Sequence, residues 1–308
     1  MTVALKEEHR GHVPEDAVAP GSTIATLTVD GVVVASYCDG AGLPPVLAPR
    51  PFLHPVTTLA GTPVTDAQPE DHRWHLGVSV TLQDVGGANV WGGRTYVRGE
   101  GYTWLGDHGR QVHTGWRSRA DSGFRETVRW EGPDGRPLLS EGREVRAARS
   151  ELPGAWALDL DTSLRNVTGA PLSLGSPASN GRAGAGYGGL FWRLPVADAP
   201  RVFTAAAEGE DAVHGSVSPW VAVTSGGHSP ATVVLAGRDA ATRRDPWFVR
   251  VSDYPGLGAQ LAAEQPVRLT PGNSVTRRFR ALVVDGAPDP DEIDRALSSS
   301  TAGNGSRP

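Results

Sequence analysis

The sequence predicts an all-β protein, a large antiparallel β-sandwich with minimal helix, and three observations carry that expectation. Runs rich in Val, Thr, Trp and Tyr recur too closely for helices to lie between them. They are bounded by Gly, Pro, Asp and Asn, and the 39 Gly and 25 Pro follow no collagen-like period, as expected of short strands joined by tight turns. The clearest runs alternate apolar and polar residues, which is the period of a half-buried strand.

The chain opens on a polar, aperiodic stretch, 1–20, read as a disordered or extended leader with no apolar signal region. TIATLTV (23–29) and VVVASY (32–37) flank Asp30-Gly31, a dipeptide that accepts the positive φ angles of a type I′ turn, so the first element is a hairpin. A second hairpin joins 123–130 to 137–148 across Gly132-Pro133-Asp134-Gly135. In the strand that follows, 155–167, Trp156, Leu158, Leu160 and Leu164 share one face. Further strands are expected at 75–83, 95–104, 110–117, 189–194, 217–224, 231–236, 247–252 and 274–284. Asp289 and Pro290 suit the start of a short helix carrying Ile293, Ala296 and Leu297, and Ser298–Pro308 has the composition of a disordered tail. The expected organisation is a leader, one sandwich domain over 21–286, and a short helix and tail over 287–308. Two segments, 39–53 and 174–188, lack strand pattern; loops that long usually carry function or are disordered.

Composition narrows the function classes. The chain of 308 residues is 39% hydrophobic and 20% charged, with mean hydropathy −0.28, enough to bury a sizeable core. A net charge of −5 with no basic run argues against nucleic acid as a partner, and no apolar stretch is long enough to span a bilayer. The single cysteine, Cys38, has no partner for an internal disulfide and suits a cytoplasmic location. Walker and Rossmann fingerprints do not occur, so no nucleotide cofactor is expected.

The densest polar cluster is Glu70-Asp71-His72-Arg73-Trp74-His75, leading into an apparent strand. Histidines three apart do not share a strand face, so both reach one point only with His72 in the loop and His75 at the strand entry. The alternative is that Asp71 and His72 cap a turn over a packed Trp74. His113, at the start of another strand, is a further candidate to face a pocket. Glu126 falls on the apolar face of Phe124, Val128 and Trp130 and needs a partner; a buried pairing with an arginine is favoured over catalysis. Nine Trp outnumber six Phe and five Tyr, and the 243–254 segment mixes arginines with aromatics, as sugar sites do.

Several motifs together resemble a known family: RPFLHPV from Arg50, GTPVTDAQPEDHRWHLGV from Gly61, NVWGG from Asn89, GRQVH from Gly109, PWFVR from Pro246, DYPGLGA from Asp253 and RRFRALVVDG from Arg277. The family is a bacterial one of unknown function whose members carry the label PmoA, methane oxygenase. The resemblance covers roughly residues 23 to 286, and its most specific part is Asp71, His72, His75 and Gly77. Where family members have a further His and Arg, this chain has Trp74 and Leu76. Methane oxidation is discarded, because nothing here spans a bilayer. The resemblance implies sugar catabolism, and by analogy a mutarotase-like supersandwich.

The expected function is a carbohydrate-active enzyme working by proton transfer: elimination, hydrolysis or epimerisation. His72 and His75 would be general acid and base, or ligands of one divalent metal, with Asp71 orienting an imidazole and His113 converging on the same site. Arg50 and Arg250 would hold oxyanions, and Trp74, Trp91, Trp247 and Tyr254 would contact the sugar ring. The pocket would be lined by 39–53, 69–75 and 174–188. Two rivals stand beside this: a non-catalytic sugar-binding subunit, and a soluble non-haem metal oxygenase with His72, His75 and Asp71 or Glu70 as ligands.

Overall fold

In a computed structural model, residues 16–302 are described, and the expected disorder of residues 1–15 and 303–308 lies outside them. Two large antiparallel sheets pack face to face. The seven-stranded sheet runs, in spatial order, Thr23–Val29, Val32–Cys38, Phe52–Val56, Val78–Thr81, Gly189–Arg193, Gly256–Ala259, Trp247–Arg250. The eight-stranded sheet runs Arg201–Thr204, Trp220–Thr224, Ala231–Gly237, Ser274–Asp285, Ala155–Asn166, Pro137–Arg149, Gly123–Glu131, Arg110–Ala120.

Alternation builds the core. Trp156, Leu158, Leu160 and Leu164 meet Trp130, Val145 and Phe279 of the same sheet, and Leu27, Val56, Val78, Trp192 and Trp247 come from the other. The first hairpin turns at Asp30 (φ 50) and Gly31 (φ 82), as its dipeptide requires. On the outer face of the eight-stranded sheet, Phe203, Trp220, Ala236 and Leu282 are covered by Ile293 and Ala296 of the Pro290–Ala302 helix. That helix starts on reciprocal bonds: Glu292 N donates to Asp289 Oδ1 at 2.8 Å and Asp289 N to Glu292 Oε2 at 2.9 Å. It runs past residue 298, so the first part of the expected disordered tail is helical.

Other expectations need correction. The 75–83 strand is shorter, Val78–Thr81, which leaves His75 before the ladder, and 95–104 is a small hairpin of Thr95–Val97 with Gly101–Thr103. The patternless segments end and begin in strands, Phe52–Val56 and Leu172–Gly175. No helix among the described residues is long and apolar enough to cross a membrane.

Candidate functional site

The outer face of the seven-stranded sheet carries a cleft of about 580 Å³, within the range of small-molecule sites. Its floor follows from strand alternation. In Gly189–Arg193 and Trp247–Arg250, Trp192 and Trp247 point into the sandwich, while Phe191 and Phe248 point outward and cluster with Trp91, Ala185 and Tyr187. Trp247 therefore belongs to the core, where its Nε1 donates to Ser218 O at 3.0 Å, and its expected place against a ligand falls to its neighbour Phe248.

The 69–75 loop forms one wall. Trp74 is held by a close approach of backbone: a Cβ on Gly92 would lie 2.6 Å from Trp74 Cβ, and one on Gly93 2.6 Å from the indole, both at positive φ. Glycine alone fits there. Behind this wall Arg50 is fully buried. It donates to the carbonyls of Leu47 (3.2 Å), Ala48 (3.0 Å), Trp91 (3.0 Å) and Trp74 (2.7 Å) and to Ser79 Oγ (3.2 Å). Burial, helped by the charge of Arg143, pulls its guanidinium down to about 9. Fully buried and donating to five protein acceptors, Arg50 ties the cleft segments together and does not hold an oxyanion.

His72 and His75 lie in the cleft wall with ring centroids 4.5 Å apart and planes at 19°. Their partners give them opposite tautomers. His72 Nδ1 is 2.6 Å from Asp71 Oδ2. Burial pushes the Asp71 carboxyl up, but the His72 bond and the Arg193 charge outweigh it and hold it below its ordinary value, so it is an ionised acceptor and His72 Nδ1 carries the hydrogen. In the neutral ring the His72 lone pair is then on Nε2. His75 Nδ1, by contrast, lies 3.3 Å from Arg193 Nη1, and an arginine can only donate, so the His75 hydrogen is on Nε2. Burial first, with the neighbouring His72, Arg193 and Arg50 adding to it, pushes the His75 imidazole well below its ordinary value and keeps it neutral. Arg193 also reaches Asp71 Oδ1 at 3.3 Å, so one cation orders both pairs. Tyr254 sits 4.6 Å from His72 and 5.2 Å from His75, its phenol pushed by burial up to about 12.

Of the residues singled out in the sequence, Asp71, His72, His75, Trp74, Trp91, Arg250 and Tyr254 line this cleft. Arg250 is partly engaged there, 3.6 Å from Glu210 and 3.3 Å from His214 Nε2. His113 does not join them. It stands on the edge strand Arg110–Ala120 of the other sheet and lines a separate concavity with the 39–49 segment. Its Nδ1 is 2.5 Å from Glu126 Oε2, and Glu126 also accepts from the Tyr37 hydroxyl and lies 3.7 Å from Arg143, which is paired to Glu141 at 2.8 Å. The buried pairing expected for Glu126 is thus present, between the sheets.

The metal expectation fits poorly. Among the described residues no three His, Cys, Asp or Glu side chains group as ligands. The stacked rings put each set of in-plane lone pairs in a different plane, and Asp71 and His75 Nδ1 already face the Arg193 cation. The two-histidine, one-carboxylate set for a non-haem oxygenase does not assemble from His72, His75 and Asp71. Of the expected lining segments, 69–75 and 174–188 reach the cleft, the latter through Arg182 and Tyr187, whereas 39–49 lies at the His113 concavity; Gln83, Arg94, Tyr102, Trp104 and, behind the histidines, the buried Arg193 come from segments with no expected role.

Among solved structures the fold is similar to a putative aldose 1-epimerase from Escherichia coli K12, at 13% identity and TM-score 0.45, covering 86% of this chain and 99% of that one. It is also similar to a heparan sulfate lyase HepC mutant from Pedobacter heparinus (10% identity, TM-score 0.32), with 58% of this chain and 22% of that one covered. A putative kojibiose phosphorylase from human microbiome matches at 8% identity and TM-score 0.30, over 65% and 25% of the two chains. The chain spans about a fifth to a quarter of those last two proteins, and overlaps this loose carry no chemistry to it. No curated protein matches. Residues 25–298 match the description "Family of unknown function (DUF6807)", which replaces the PmoA family that the motifs resemble. The chain belongs to DUF6807, a family whose function is unknown.

Proposed function

We propose that the cleft binds a carbohydrate and transfers a proton to or from it, with His72 as the base and His75 as the neutral N–H donor. The observation that carries this reading is the pair of hydrogen bonds that fix the two rings, Asp71 on His72 Nδ1 and Arg193 on His75 Nδ1. Asp71 holds the His72 ring with its Nε2 lone pair available, and Arg193 fixes His75 with an N–H to offer. A base removes a proton from a sugar carbon or hydroxyl, the substrate oxygen gains charge, and the N–H donor stabilises that charge without first giving up a proton. Asp71 and Arg193 are positioning residues. Trp74, Trp91 and Phe248 supply flat apolar faces for the C–H side of a pyranose, while Tyr254 and Arg250 offer hydrogen bonds to its hydroxyls. The reaction class is elimination, hydrolysis or epimerisation.

The test is a panel of neutral and acidic mono- and disaccharides incubated with the protein in D₂O and followed by proton NMR. Conversion or carbon-bound deuterium exchange is expected for at least one. His72→Ala should slow it by roughly 10²- to 10⁴-fold with thermal stability nearly unchanged, since His72 is a partly exposed rim residue. A His72→Ala protein that turns over at the original rate sinks the reading. A sugar that binds in the cleft and is never converted makes this a binding site and not a catalytic one.

A further inference from the structure

One wall of the cleft holds hydrogen-bonding groups that the protein leaves unused, among them Gln83 Oε1, buried without a partner, and one phenolic hydrogen. Gln83, 2% exposed, donates through Nε2 to the carbonyl of Arg94 at 3.2 Å and to the Tyr187 hydroxyl at 3.0 Å. A carbonyl only accepts, which fixes the orientation of the amide. The Tyr187 and Tyr102 hydroxyls are 2.8 Å apart, and Arg182 Nη1 donates to the Tyr102 hydroxyl.

A proton count follows. The two phenols have two hydrogens, and the bond between them uses one. Each phenolic oxygen is already approached by a group that can only donate, Gln83 on one side and Arg182 on the other. The second phenolic hydrogen therefore has no acceptor among the described residues, whichever phenol carries it. Burial pushes the Tyr187 hydroxyl well above its ordinary value, with Tyr102 adding to the shift, so the hydrogen stays on.

Two cations stand at the same wall. Arg182 lies over the Tyr102 ring, 4.8 Å from its centroid, and Arg94 over Trp104 at 5.7 Å. Among the described residues neither has a carboxylate within ion-pair distance, although the ion pairs of the chain take up many other arginines. The acidic groups of the cleft belong to its other segments. Asp71 is committed to His72 and Arg193, with Glu70 beside it in the chain, and Asp253 adjoins Tyr254. Tyr254 links the two ends, since its phenol feels the charges of both Arg182 and Arg193.

We propose that the Arg94, Tyr102, Arg182 and Tyr187 wall holds the carboxylate of an acidic sugar, a uronate or aldonate, whose ring then reaches His72. The proposal rests on the carbohydrate reading above and narrows it. A carboxylate accepts only, with lone pairs enough for a phenol and a guanidinium fork at once.

Calorimetric titration of the full chain tests it with D-galacturonate and D-glucuronate, their methyl esters, the parent neutral sugars and glucose 6-phosphate. At least one uronate should bind at least about tenfold more tightly than its ester and neutral parent, the scale of one charge-assisted hydrogen bond. Arg182→Ala should weaken that preference, and Arg94→Ala with Arg182→Ala should erase it. Unfolding temperature should hold, because both side chains are exposed. Uronate, ester and neutral sugar binding alike, or a preference that survives the double substitution, overturns the proposal and leaves the carbohydrate reading standing. Binding of the phosphate without any uronate overturns the carboxylate assignment. If no sugar of any charge binds, the carbohydrate reading fails and the proposal with it.

Discussion

Replacing Arg50 by Met removes a cation that touches no ligand, and its cost can be worked from the structure. Five hydrogen bonds go, four of them to backbone carbonyls in three separate segments. At about 1.5 kcal/mol each, the low end for bonds to a charged group, that is about 7–8 kcal/mol. Against it stands the relief of not burying a charge. The fall of the guanidinium from its ordinary 12.5 to about 9 corresponds to about 5 kcal/mol. The net loss is about 2–3 kcal/mol, or roughly 3–5 °C in unfolding temperature for a chain of this length. The loss should be local as well as global, because the carbonyls of Trp74 and Trp91 lose their common donor. Amide exchange in 73–76 and 89–93 should accelerate more than in the Ala155–Asn166 strand, read by hydrogen-exchange mass spectrometry. An Arg50→Met protein with wild-type stability and unchanged exchange in those segments would refute the claim that this cation organises the cleft.

Two other outcomes follow from buried charge. His75, His54 and His214 are all held below their ordinary values, chiefly by burial, so below about pH 6.5 the unfolded chain takes up protons that the folded one refuses, and stability falls with pH. Calorimetric melts between pH 8 and 5 should show this decline, with a shallower slope in His75→Gln; an identical slope in the variant counts against a neutral buried His75. Glu126→Ala takes the acceptor from the Tyr37 hydroxyl and from His113 Nδ1, while Arg143 keeps Glu141, and should cost about 1–3 kcal/mol in urea unfolding. Sugar binding per folded molecule should stay unchanged in Glu126→Ala and in His113→Ala, and a selective loss in either would return His113 to the cleft.

Alternation made the long strands legible in the sequence, and turn chemistry made their hairpins so, because 137–148 and 155–167 repeat the period of the pleat over many residues. Phe52–Val56, Arg201–Thr204, Gly256–Ala259 and Val267–Leu269 were not legible. They are short, and Gly256–Ala259 is buried throughout as Gly-Leu-Gly-Ala, so no polar face marks its period. The 69–75 wall could be found from the crowding of ionisable groups in one loop. Arg193 could not, since it meets His75 only through pairing of Gly189–Arg193 with Val78–Thr81. Trp247 was misplaced by one residue: an aromatic pair on a strand gives two candidate faces, and parity depends on which side the core lies. His113 was drawn toward the other histidines by residue type alone, although its strand belongs to the opposite sheet.

The strands under the cleft serve two compartments through neighbouring side chains, Phe191 and Phe248 outside, Trp192 and Trp247 inside. A substitution at an outward position changes the floor on which a ligand rests and leaves the intersheet packing as it was. Ligand preference and fold stability are thereby insulated from each other along those strands, and a lineage can retune one without endangering the other. The insulation ends at Arg193, the last residue of its strand, where a buried cation answers to His75 and Asp71. Drift in what the cleft accepts is free on the aromatic floor and constrained at that corner.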